Sequence, residues 1–136
     1  MIKAVAKWEE DFRLRVDNSR GHSVVCDLPV ATGGDNAGPT ALELAVMALA
    51  SCAVTVFVKV CKQSKTELSE FEVVAEAEKH PGSSKLAEMN IKATASAKAG
   101  KQLLEAAWRR TEANCPVLLV YQEPTLLNVK FDAIPE

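Results

Sequence analysis

No charged side chain interrupts the stretch from Leu44 to Val58, which is bounded by Glu43 and Lys59. Just ahead of it, Thr40-Ala-Leu-Glu43 has the spacing of a capping box, in which the threonine hydroxyl and the glutamate carboxylate each satisfy an orphan helix amide. These residues predict a helix from about Thr40 to about Lys62. The apolar run is short for a membrane span, so the expectation is a buried core helix. Because it is apolar nearly all round, it must be covered on most sides. The rest of the chain therefore has to wrap this helix. One small sheet can hardly do so alone, which makes self-association an expectation as well.

The wrapping elements are legible from period-two patterns. Phe12-Arg-Leu-Arg-Val16 alternates strictly, and Ile2 to Trp8 is expected to pair with it across Glu9-Glu10-Asp11. The turn-rich Asp17-Asn-Ser-Arg-Gly21 leads into a third strand near His22–Cys26. Leu28 to Pro39 reads as a loop whose glycines lack a phosphate-binding spacing. After the helix, Phe71–Lys79 and Met89–Ala97 alternate around a hairpin loop at His80-Pro-Gly-Ser-Ser84. From Lys101 a helical stripe of Leu103, Leu104, Ala107 and Trp108 appears, and Asn114-Cys115-Pro116 reads as the start of a further short helix. Leu127, Val129, Phe131 and Ala133 predict a closing strand. The order is β-β-β-α-β-β-α-α-β, an α+β fold in one domain spanning residues 1–136.

A net charge of -2 without basic clusters gives no electrostatic footprint for nucleic acid. The N-terminal residues lack the apolar core of a signal peptide, so a cytoplasmic location is expected. The four cysteines, Cys26, Cys52, Cys61 and Cys115, include no Cys-x-x-Cys pair, and His22 and His80 stand alone. We expect no metal, no cofactor and no disulfide framework.

Cysteine reacts as its thiolate, so the surroundings of each thiol decide its use. Mid-helix, Cys52 has no free amides around it and apolar neighbours disfavour the charged form, which leaves core filling and reactivity both open. Reactivity there needs a cation brought from elsewhere, for which the arginines of the N-terminal strands are candidates. Cys115 sits at a helix start, where amides and partial positive charge favour thiolate. It reads equally well as reactive or structural. Cys61 follows Cys52 by nine residues, half a turn round the helix, so the two share no face. Cys61 and Cys26 read as structural.

The Gly33-Gly34 loop, Gly38-Pro39-Thr-Ala-Leu-Glu43-Leu and Ala50-Ser51-Cys52 resemble the central-helix motif of the OsmC/Ohr proteins, the osmotically inducible protein C and organic hydroperoxide resistance family. Cys115-Pro116-Val117 resembles their second motif, and the order of elements is similar across essentially the whole chain. The resemblance implies an intertwined homodimer that reduces organic hydroperoxides. Cys52 would be the peroxidatic cysteine, and Cys115 would resolve its sulfenic acid as a disulfide, which a cellular dithiol such as a lipoyl protein reduces. It also implies an arginine paired with a carboxylate beside Cys52. In the family's characterised peroxidases that glutamate stands where this chain has Leu42; here the acid is Glu43, about a hundred degrees round the helix. Glu43 is thus a catalytic candidate and a helix cap at once. Among Arg13, Arg15 and Arg20, Arg20 is the chosen candidate, since a turn residue reaches across a dimer more easily. The alternative reading is a non-catalytic dimer of the same fold that binds a small hydrophobic ligand in its interface pocket.

Overall fold

The computed structural model describes all 136 residues. In chain order its elements are β1 (Val5–Glu10), β2 (Arg13–Asp17), β3 (Ser23–Cys26), α1 (Ala41–Gln63), β4 (Leu68–Lys79), β5 (Leu86–Ala97), α2 (Lys101–Asn114) and α3 (Pro116–Gln122). A single 3₁₀ turn, Val30–Thr32, interrupts the loop between β3 and α1. The fold is α+β with two small sheets, ordered β1-β2-β3 and β4-β5. Contacts group the chain into two compact units, residues 1–48 with 75–90, and residues 49–74 with 91–136.

In the first unit the N-terminal strands form an antiparallel meander, with Trp8 opposite Leu14 and Leu14 opposite Cys26. The first turn falls at Asp11 and Phe12, later than the acidic triplet suggested, and Asp11 takes a left-handed φ of 46°. Phe12 consequently leaves the strand and is 53% exposed instead of joining the apolar face of Leu14 and Val16. Its ring lies against Gly33, whose left-handed φ of 100° calls for glycine. The following loop is folded around Asp27, only 4% exposed, whose carboxylate accepts the amides of Leu28, Asp35 and Ala37. Those amides hold its pKa below the ordinary value.

The second unit contains a core of Phe57, Val60, Cys61 and Ala107, flanked by Leu68, Phe71, Ala95, Leu104 and Trp108. Phe57 stacks on Phe71 with centroids 4.2 Å apart, and Trp108 is tilted against both rings. β4 and β5 are joined by a loop too short for a parallel crossover, so they form an antiparallel hairpin. Their inward and outward residues alternate as the sequence pattern predicts. Leu103 does not follow the expected stripe and is 49% exposed. The other three residues of that stripe, Leu104, Ala107 and Trp108, do face inward and the face continues to Thr111, while Leu103 sits about a hundred degrees from Leu104.

Two sequence expectations are corrected here. α1 is long and apolar enough to cross a membrane by length and composition, a property core helices share, but within one chain it buries one stripe only: Leu49, Ala53, Phe57, Val60 and Cys61. Met47, Ser51, Thr55 and Lys59 remain exposed on its other side. The closing strand is also missing. Residues 127–133 belong to neither sheet, and Leu127, Val129 and Phe131 are each more than 80% exposed. Alternation marks an apolar face, yet a strand forms only where a sheet edge accepts its backbone, and no strand of this chain does so.

Candidate functional site

Cys52 lies mid-α1, half-buried, at the border between the buried stripe and the exposed row of Ser51 and Thr55. Cys115 occupies the corner where α2 ends and α3 begins. Its extended backbone, φ -74° and ψ 108°, breaks the helical run, and Pro116 then starts α3 without needing an amide partner. The Asn114 side-chain amide donates to the Arg110 carbonyl at 2.8 Å and closes α2, while the Leu119 amide donates to the Cys115 carbonyl at 3.1 Å and opens α3. One turn earlier, buried Thr111 satisfies its hydroxyl on the Ala107 carbonyl.

This corner sets the Cys115 thiol beside the thiol of Cys52, near enough for Cys52 to raise the Cys115 pKa. Both are free thiols, and Cys115 is fully buried. Burial pushes the Cys115 pKa above its ordinary value. The amides of Leu118 and Val117 face its sulfur without completing a capping hydrogen bond and pull the other way, and Cys52 adds to the rise. The expectation that a helix start makes Cys115 the more acidic thiol is thereby corrected: desolvation outweighs the amides. Two neighbouring free thiols have the chemistry to exchange between dithiol and disulfide. Cys61 is buried in the core with its pKa likewise raised by burial, and Cys26 is buried in the other unit.

The other two sequence candidates lie in the first unit. Glu43 forms the capping box: its carboxylate accepts the Thr40 amide at 3.0 Å and its own amide donates to the Thr40 hydroxyl at 3.1 Å. These bonds hold its pKa below the ordinary value. Glu43 also lines a cavity of about 880 Å³ with Leu28, Leu42, Val46, Met47 and Lys79. Arg20 stands on an exposed turn wired by Asn18, whose side-chain oxygen accepts the amides of Arg20 and His22. Its guanidinium has no hydrogen bond or ion pair, whereas Arg13 and Arg15 are engaged by Glu9, with Glu10 also holding Arg13. The sequence reading passed over Lys79. The signal was present, because the inward parity of Phe71, Val73, Ala75 and Ala77 continues to Lys79.

Residues 33–130 match the sequence profile described as OsmC-like protein. Among curated proteins there is no significant match. Of solved structures, an OsmC-like protein from Mycoplasma pneumoniae superposes with a TM-score of 0.79 at 14% identity, covering 91% of this chain and 89% of that one. An OsmC-like protein of unknown function from Vibrio cholerae gives 0.72 at 14% identity, over 87% of this chain and 91% of that one. An organic hydroperoxide resistance protein from Elizabethkingia anophelis, with thiocyanate bound, gives 0.69 at 17% identity, over 91% and 89%. At these identities the likeness is one of fold.

Proposed function

The chain belongs to the OsmC-like protein family, and from that premise we propose that it reduces organic hydroperoxides through a Cys52–Cys115 thiol pair. The proximity of the two free thiols, near enough for one to raise the pKa of the other, carries this reading. The Cys52 thiolate attacks the O–O bond; with one proton, the peroxide leaves as an alcohol and the cysteine becomes a sulfenic acid. Cys115 then attacks that sulfur, a water departs, and a disulfide joins α1 to the start of α3. A cellular dithiol, a lipoyl group by family resemblance, returns both cysteines to thiols and is itself oxidised to a disulfide. Half-burial gives Cys52 access to solvent, and the buried partner protects the sulfenic acid from further oxidation.

In this reading the working unit is a cytoplasmic homodimer. It is supported by the uncovered side of α1 and by the alternating apolar segment after Leu126, which lacks a sheet edge to pair with. The dimer would also bring Arg20 to the thiols, its guanidinium being uncommitted within its own chain. Glu43, ionised at neutral pH, is suited to orient that guanidinium with the carboxylate oxygen the cap leaves over. Cumene hydroperoxide consumption with a dithiol reductant tests the proposal. Cys52→Ser should eliminate turnover, and Cys115→Ser should leave one turnover and a sulfenic acid that dimedone traps. Wild-type rates in Cys52→Ser would end it.

One observation favours a second reading, a dimer of this fold that binds a small hydrophobic ligand without catalysis. Glu43 is already committed to its cap and faces a largely apolar cavity. On that reading peroxide treatment yields neither sulfenic acid nor a Cys52–Cys115 disulfide, an outcome peptide mapping distinguishes directly.

A further inference from the structure

A second cavity, about 390 Å³, lies in the second unit and has an aromatic wall of Phe57, Phe71 and Trp108. Phe57 is five residues beyond Cys52 on α1, about 140° round the helix, so this cavity opens on a different side from the thiol pair. Its polar edge is built by α2, where Lys101, Glu105 and Arg109 recur at four-residue intervals and so share one face beside Trp108.

The polar groups at this edge are unbalanced. Lys101 and Glu105 pair with each other at 3.9 Å. Arg109 has neither an ion pair nor a side-chain hydrogen bond. The Trp108 indole N–H has no acceptor either, whereas that of Trp8 donates to the Asp11 carbonyl at 2.8 Å. The uncommitted polar groups around the aromatic wall are therefore donors, and the charge of the three α2 side chains sums to plus one. An apolar body with a single anionic acceptor complements both features, and a guanidinium offers that acceptor a planar two-pronged contact.

We propose that this cavity binds a small organic monocarboxylate, its apolar body against Phe57, Phe71 and Trp108 and its carboxylate on Arg109. Cavities of this size hold ligands of roughly drug-fragment dimensions, which suits an aryl or medium-chain acid. The site is independent of the redox chemistry proposed for the cysteines.

The test uses the full chain labelled with ¹⁵N, whose two indole signals are assigned with Trp8→Phe. Titration with 4-phenylbutyrate should move the Trp108 signal saturably and leave the Trp8 signal in place. The uncharged 4-phenylbutanamide should bind about threefold to fivefold more weakly, the range of a partly exposed ion pair. Arg109→Gln, on an exposed position, should bring the acid down to the level of the amide without changing amide binding, and Arg109→Lys should keep part of the preference. Equal binding of acid and amide, an Arg109→Gln chain that still prefers the acid, or a Trp108 signal that responds to protein dilution and to neither ligand would overturn the proposal. The last result would give the cavity to a second copy of the chain.

Discussion

Two helix starts in this molecule hold an ionisable side chain among backbone amides, and they treat it in opposite ways. At the start of α1, Glu43 and Thr40 exchange hydrogen bonds at the surface, and the carboxyl pKa falls. At the start of α3, Cys115 faces the amides of Val117 and Leu118, yet its pKa rises because the sulfur is buried. Oriented amides lower a pKa when they make full hydrogen bonds and water remains near. A large, weakly accepting sulfur sealed from solvent gains too little from them to offset its lost hydration. The first start is built to stabilise a helix. The second buries a thiol and so keeps it protonated.

The largest effect should come from removing the buried thiol. Cys115→Ser is expected to reduce multi-turnover peroxide reduction to background while the first turnover persists, measured as alcohol released per protein. In the wild type, mass-resolved alkylation of Cys115 should accelerate only above the ordinary thiol range, roughly pH 8.5. Fast alkylation of Cys115 at neutral pH would break the contrast between the two helix starts. Because the folded pKa is raised, the unfolded chain ionises first, so this thiol lowers stability as pH climbs through that range.

Next in size is the aromatic core of the second unit. Phe57, 1% exposed and stacked on Phe71, should cost about 3–5 kcal/mol when replaced by alanine, read from urea denaturation. A loss below about 1 kcal/mol would mean that the Phe57–Phe71 stack does not anchor this core. Thr40→Ala should cost about 1 kcal/mol, the usual worth of a lost cap. The smallest effect is on pH dependence. Glu43 has a depressed pKa, so its contribution is present above the ordinary glutamate value and fades as pH falls through the folded one. Glu43→Gln keeps an acceptor for the Thr40 amide and should flatten that acid limb of the stability curve. If peroxide reduction also drops in Glu43→Gln at neutral pH, the residue does more than cap.

Much of this was legible in the residues. The capping box located α1 to within a residue, because Thr40 and Glu43 satisfy amides by local geometry that needs no other part of the chain. The alternation of β4 and β5 held for the same kind of reason: a hairpin with one face inward imposes period two on its own residues. Pro116 marked the start of α3. The misreadings share a different character. Phe12 left its strand for a turn against Gly33, and the segment Leu127–Ala133 found no edge. Each depended on a partner distant in sequence, which alternation cannot supply.

The amino-acid order by itself determined the capped apolar helix, the inward faces of the hairpin and the two cysteine motifs, since spacing along the backbone is enough to specify them. Only tertiary structure decided that the Cys52 and Cys115 thiols are neighbours, and that burial raises the Cys115 pKa where its helix position argued for thiolate. Proximity and desolvation belong to the packed arrangement of α1, α2 and α3, because distance and dielectric surroundings are set by neighbours that arrive from elsewhere in the chain.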